Sequence, residues 1–322
     1  MREFSLNKIG LTYQNIVATE NYGILNSRKE ANTIIDFCGY LFSMPIVPAN
    51  MKCVISFELA EKLARNNYFY ILHRYYSHAE ILEWLKNTDI AYKSISVGIS
   101  EEDFLFLKQI KEENIFLHFI TIDVAKAYAV YIKEMIDFIK ENFPKTVLIV
   151  GNVSGSKKSI EFLQALGAQA IKVGQSFGRA CTTYLATSFG SPMFSFAQEA
   201  AKYAKVPLIL DGGIKHHKDI AVALIASSEA EYRPMIMIGS LFAACIDSPA
   251  ELIDGYKYYY GSSSRENNNI KNIEGQLVKL PLTPHIVLEE ISVMKDDLSS
   301  AISYAGGENI DCFKHVDYKI IL

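Results

Sequence analysis

Short apolar runs alternate along this chain with longer segments of helical period, an alternation that predicts βα units around a parallel sheet. The runs near 45–49, 69–73, 93–97, 117–122, 147–151, 169–173, 207–211 and 235–239 are apolar at nearly every position. Strands of that kind need cover on both faces. Eight of them predict an α/β fold, a (β/α)8 TIM barrel forming a single domain over residues 1–322. Phe57 to Asn66 and Ala79 to Lys86 carry apolar residues at spacings of three and four, as amphipathic helices do. Ala129 to Phe143 sets Tyr131, Met135, Phe138 and Ile139 along one stripe, and Ser159 to Leu166 and Phe194 to Ala204 repeat the pattern. No gap between the early strands is long enough for an inserted domain.

After the eighth run the periodicity stops. Residues 255–283 hold a Tyr- and Ser-rich stretch, then Arg265-Glu-Asn-Asn-Asn-Ile-Lys-Asn, then Glu274-Gly-Gln-Leu-Val-Lys-Leu-Pro. This polar, aperiodic segment predicts a mobile excursion over the barrel mouth, with an active-site flap at 261–283. For Asn267 to Asn269 a plain surface loop is the simpler reading. Val287 to Tyr304 returns to helical period, and Gly306-Gly307 ends it.

Composition narrows the class. Half of the 322 residues are hydrophobic, enough for a large core, and a formal charge of -4 gives no nucleic-acid surface, so the expected partner is small. Five cysteines, at 38, 53, 181, 245 and 312, form no C-x-x-C pair and make an odd, scattered set. That argues for reduced thiols in a cytoplasmic setting. The first residues lack a signal-peptide pattern, and no run approaches the roughly 20 apolar residues that span a bilayer, so no membrane partner is expected.

The candidate chemistry gathers between Ile171 and Thr183. A β-branched run, Ala170 to Val173, stops at Gly174, and the following segment carries Gly178, Arg179, Cys181, Thr182 and Thr183. In a barrel the reacting groups sit at the C-terminal ends of the strands, which is where this loop belongs. A cysteine taken at random is more often an inert packing residue. Here Arg179 and the two hydroxyls favour a thiolate, whereas the other four cysteines lack such company and are assigned to packing. Two later strands end in glycine, at Asp211-Gly-Gly213 and at Gly239-Ser240. Each alone reads as a tight turn; two on adjacent strands let backbone amides approach an anion. Together these features suggest covalent chemistry on a phosphorylated small molecule.

The order and spacing of Pro48-Ala-Asn-Met51, Leu72-His-Arg74, Ile122-Asp123, Gly151-Asn-Val153, Lys172-Val-Gly174, Cys181-Thr-Thr183, Asp211-Gly-Gly213, Gly239-Ser-Leu241, Tyr260-Gly-Ser262, Glu274-Gly275 and Ile302-Ser-Tyr-Ala-Gly-Gly307 carry more weight than any fragment alone. Over nearly the whole chain they resemble the GMP reductase and IMP dehydrogenase family. The resemblance implies a (β/α)8 barrel in which Cys181 attacks C2 of a purine nucleotide, with GMP/IMP and a nicotinamide dinucleotide as partners and a homotetramer as the assembly. It implies Thr183 and Glu274 as the proton route for a departing amine and Asp211 for the ribose hydroxyls. Gly213, Gly239 and Ser240 would form the phosphate cradle, and Ser263 would contact the purine. Asp123 and Arg74 would face the cofactor, Arg74 as a partner for a phosphate of NADPH or, equally, as a structural residue. Arg179 is either a charged substrate contact or a solvated arginine.

The chain lacks the paired regulatory insertion common in the dehydrogenases, and no tyrosine follows Arg265 before Glu274. Both points favour the reductive branch, in which NADPH converts GMP to IMP and ammonia. IMP dehydrogenase chemistry, or a purine-nucleotide-binding barrel with weakened catalysis, is the alternative. Two departures stand out. Gly174-Gln-Ser-Phe-Gly178 replaces the family's Gly-Ile-Gly-Pro-Gly, which counts against a potassium (K+) site at Gly174 and Gly178. Lys126-Ala-Tyr128 replaces a His-Gly-His segment beside the cofactor.

Overall fold

The structure, a computed structural model, describes residues 9–175, 178–261 and 276–321. Fourteen strands fall among them: β1 (Ile16–Ala18), β2 (Ile35–Phe37), β3 (Tyr40–Phe42), β4 (Ile46–Pro48), β5 (Ser94–Val97), β6 (Phe119–Asp123), β7 (Val147–Val153), β8 (Ala170–Val173), β9 (Leu208–Asp211), β10 (Met235–Ile238), β11 (Leu252–Ile253), β12 (Tyr256–Tyr259), β13 (Val278–Pro281) and β14 (Tyr318–Ile320). Seven of them form one parallel sheet in the order β4-β10-β9-β8-β7-β6-β5. The earliest strand of that sheet pairs with the last, Ile46 opposite Ile236, so the sheet curls back on itself.

The expected eighth strand is represented by a single parallel bridge. Phe69, Tyr70, Ile71 and Leu72 are fully buried, but only Leu72 bridges the sheet, opposite Ile95 of β5. Its N–H donates to Ser94 and its carbonyl accepts from Ser96, at 3.2 and 2.9 Å. The chain then turns at once, with the Tyr75 N–H on His73 Nδ1 at 3.1 Å. A ladder cannot extend past a turn, so the expected eight-stranded barrel is seen, among the described residues, as a curled seven-stranded sheet flanked by one bridging residue.

Helices α1 (Phe57–Arg65), α2 (His78–Asn87), α3 (Glu101–Glu112), α4 (Ile132–Asn142), α5 (Lys157–Leu166), α6 (Thr183–Thr187), α7 (Met193–Tyr203), α8 (Lys218–Ala226), α9 (Ser240–Ala243) and α10 (Val287–Tyr304) follow the strands. Ser56, Ser77 and Ser100 start α1, α2 and α3 by accepting from backbone N–H groups of the first turn. Glu80 and Asp103 return the bond to the cap backbone, completing capping boxes. In α4 the buried stripe is Ile132, Met135, Ile136 and Ile139. Tyr131, expected on that stripe, precedes the helix and is exposed, because the helix starts three residues later than its apolar pattern suggests. The nine-residue apolar helix α8 has no legible stripe: it is buried on nearly all sides, against α7 and α10 among others.

The N-terminal end of the sheet is stoppered. Cys38 and Gly39, both at positive φ, form a tight two-residue turn between β2 and β3. That hairpin presses Phe37, Tyr40 and Phe42 onto Phe69 and Phe119, with ring centroids 4.8 to 5.2 Å apart. At the opposite end the loops after the strands line a cleft. There β11, β12 and β13 form a small antiparallel sheet, in which Tyr259 pairs with Val278. The ends of the segment read as an excursion are therefore strands, and 262–275, most of the expected flap, lie outside the described residues. Among the described residues no helix is long and apolar enough to cross a membrane.

Phe69 contacts four other aromatic rings in this stopper. Phe69→Ala is expected to destabilise the fold by about 3–5 kcal/mol, read as a lower urea midpoint at an unchanged slope.

Candidate active site

Strands β8, β9 and β10 end side by side, and the loops leaving them line one cleft. From the first loop come Arg179 and Cys181, from the second Asp211 and Gly213, and from the third Gly239 and Ser240. Seven of the residues expected at the substrate are thus brought together, counting Thr183, which reaches the site through the cysteine. Cys181 is half-buried; its N–H donates to the Gly178 carbonyl at 3.0 Å, and its thiol donates to Thr183 Oγ1 at 3.4 Å. Beyond the undescribed segment the chain returns to this loop, where the Gln276 N–H donates to the Ala180 carbonyl at 2.9 Å. Glu274 and Ser263 lie outside the described residues.

Two glycines sit where a Cβ would collide, one with backbone and one with a buried side chain. A Cβ on Gly174, at φ +144°, would lie 1.8 Å from the Asp211 carbonyl oxygen, so β8 and β9 approach each other closely only because no side chain intervenes. A Cβ on Gly239 would lie 2.5 Å from Tyr259 Oη. Tyr259, from β12, was not anticipated as a site residue. It is buried against Met51, and both line the cleft, as does Lys215. Their positions depend on contacts across more than a hundred residues, for which the local sequence carries no signal.

Asp123, within reach of the Arg74 charge, does not line this cleft and belongs to a buried network. Its centre is Lys172 in β8, only 2% exposed. The ammonium donates to Asn50 Oδ1 at 2.8 Å and Asp123 Oδ1 at 2.9 Å, and lies 3.6 Å from Asp211 Oδ2. Asn152 Nδ2 donates to the same Asp211 oxygen at 2.7 Å and to the Gly174 carbonyl at 2.8 Å. Burial disfavours the charge on Asp123, but Lys172 and Arg74 outweigh it and hold the carboxyl below its usual range. Burial likewise opposes the charge on Lys172, and the two carboxylates hold it above the usual lysine value. A lysine in an otherwise apolar strand was the one available sequence signal for this network.

The remaining cysteines behave as packing residues. All five are free, and burial pushes the thiols of Cys38, Cys53, Cys245 and Cys312 up to about 12, 11, 12 and 11. The Gly174 carbonyl accepts from Asn152 Nδ2 and the Gly178 carbonyl from the Cys181 N–H. Among the described residues no cluster of His, Cys, Asp and Glu could hold a metal ion.

A curled parallel sheet with a thiol, a carboxylate and glycine-rich loops at its C-terminal strand ends defines an α/β protein with a small-molecule site at the customary edge. The chain belongs to the IMP dehydrogenase / GMP reductase family, whose domain profile matches residues 10–316. It is 39% identical over 320 residues to a GMP reductase of Lactobacillus delbrueckii subsp. bulgaricus, covering 96% of this chain and 94% of that protein. It is 41% identical over 319 residues to a GMP reductase of Streptococcus suis, with the same two coverages.

Gly174 and Gly178 should separate cleanly in stability, since a Cβ on Gly178 meets no atom within 4 Å. Gly178→Ala is expected to stay within about 0.5 kcal/mol of wild type. Gly174→Ala, which forces β8 from β9, should lower the melting temperature by many degrees or prevent folding; equal melts would contradict the close approach.

Proposed function

We propose that this chain is an oxidoreductase that reductively deaminates GMP to IMP and ammonia through a covalent bond between Cys181 and the purine. The observation that carries the reading is the single cleft shared by the Cys181 thiol, the Asp211 carboxylate and the glycine-ended loops at Gly213 and Gly239–Ser240. A nucleoside monophosphate has a matching order of parts: a base to react, a ribose diol and a phosphate. The relatives named GMP reductase support the same substrate.

In this reading backbone amides at Gly213 and Ser240 hold the phosphate, Asp211 accepts from the ribose hydroxyls, and Arg179 adds a charged contact. Ser263 meets the purine. The Cys181 thiolate adds to C2, converting one hard substitution into two easier steps. Thr183, already hydrogen-bonded to the sulfur, relays a proton that Glu274 supplies to the departing amine, which leaves as ammonia. NADPH, when bound, supplies the hydride that C2 takes up before the sulfur departs. The residues suit such a cofactor: Arg74 Nε and Asn152 Oδ1 are buried with no partner among the described residues, a donor for a phosphate and an acceptor for a carboxamide. Asp123 faces the same side. The reading also includes closure of the sheet into an eight-stranded barrel through 69–73, a flap at 261–283, a homotetramer, and a cytoplasmic setting.

Mixing the protein with GMP and NADPH should oxidise the cofactor and release ammonia in equal amounts. Cys181→Ala should lower the rate at least about a thousandfold with GMP affinity nearly unchanged, and Thr183→Ala should slow ammonia release more than hydride transfer in single-turnover traces. Turnover only with IMP and NAD would reverse the direction of the assignment.

A further inference from the structure

Lys172 is part of neither the cysteine chemistry nor the phosphate cradle, yet it is the most deeply buried charge at the site. Three of its surroundings matter. Asn50, from the loop after β4, and Asp123, at the end of β6, each take a hydrogen bond. Asp211, at the end of β9, lies within ion-pair distance and takes its hydrogen bond from Asn152. One positive charge is thus shared by two carboxylates, 14% and 25% exposed. Stability alone accounts poorly for such a group, because well-packed apolar residues commonly replace a buried ion pair at no cost. The two carboxylates serve different sides of the site: Asp211 lines the cleft with Cys181, while Asp123 lies beside Arg74.

We propose that Lys172 is a positioning residue that binds Asp123 and Asp211 into one charged unit, orienting Asp211 to read the ribose diol of the purine nucleotide. The inference rests on the functional reading above and adds a residue to it. Lys172 reaches no reacting atom; it acts through Asp211, which the ammonium and the Asn152 amide hold from one side. Without the ammonium, two carboxylates repel across the gap and Asp211 turns toward solvent.

The test is calorimetry with GMP and with 2′-deoxy-GMP, in the absence of any cofactor. It compares wild type, Lys172→Met, Lys172→Arg, Asp123→Asn and the double variant Lys172→Met/Asp123→Asn. Lys172→Met should weaken GMP by at least about tenfold and 2′-deoxy-GMP much less, so that the preference for the ribonucleotide shrinks. In the Asp123→Asn background the same change should cost clearly less, because one of the repelling charges is gone. A purely structural lysine would weaken both nucleotides by one factor, identical in both backgrounds, and that result overturns the proposal. Should Lys172→Met not fold, Lys172→Arg, which keeps the charge but not the point geometry, gives the deciding ratio: a reduced preference supports the proposal and an unchanged one overturns it. Wild type that binds no GMP removes the functional reading and this inference together, whereas wild-type binding with an unaltered preference in the variants removes the inference alone.

Discussion

An ammonium enclosed by apolar strands has to be neutralised where it lies, since transfer from water without partners costs far more than a domain's whole stability margin. Lys172 imposes that condition between Ile171 and Val173, at the centre of the curled sheet. Its partners must then arrive from three other places, the loop after β4, the end of β6 and the end of β9. The requirement ties together strand ends that are far apart in the chain. It also keeps the Asp123 carboxyl charged where burial alone would disfavour the charge. Because β8 leads directly into the Cys181 loop, the strand that carries the buried charge also delivers the thiol.

The two ends of the sheet do different work. At the N-terminal end a hairpin rich in aromatic residues closes the interior through ring-on-ring contacts with Phe69 and Phe119. At the C-terminal end side chains are thinned: Gly174 lets β9 approach, and Gly239 leaves room for Tyr259 from the small antiparallel sheet. Space for a ligand arises there because the loops are held by backbone contacts that a Cβ would forbid. Stability at one end and chemistry at the other is the usual division in folds of this type.

Much of this was legible from residue order. Seven of the eight apolar runs are strands, since a run apolar on both faces has few other stable settings, and the helix at 287–304 has the bounds its period suggests. The 69–73 run is buried and meets the sheet through a single bridge at Leu72, since burial and strand pairing leave the same apolar signature. Helix α3 escaped notice although Ser100 and Asp103 form a capping box, and α8 because a helix covered on all sides shows no stripe. Cys181, Arg179 and the glycine-ended loops at Gly213 and Gly239–Ser240 stand out from loop chemistry and the family resemblance adds Thr183 and Asp211, whereas the place of Tyr259 in the cleft has no local signal.

What residue order alone settled was periodic and local: which runs are apolar on two faces, where helices start, and which loop carries a thiol flanked by hydroxyls. Those properties follow from side-chain spacing and from groups within a few positions of one another. The folded arrangement decided the rest, including that one ammonium serves two acids and that a tyrosine from β12 fills the space above Gly239. It also decided that the Gly174 carbonyl is taken by Asn152. Each of these depends on distances between atoms remote in the chain, and such distances exist only once the sheet has curled.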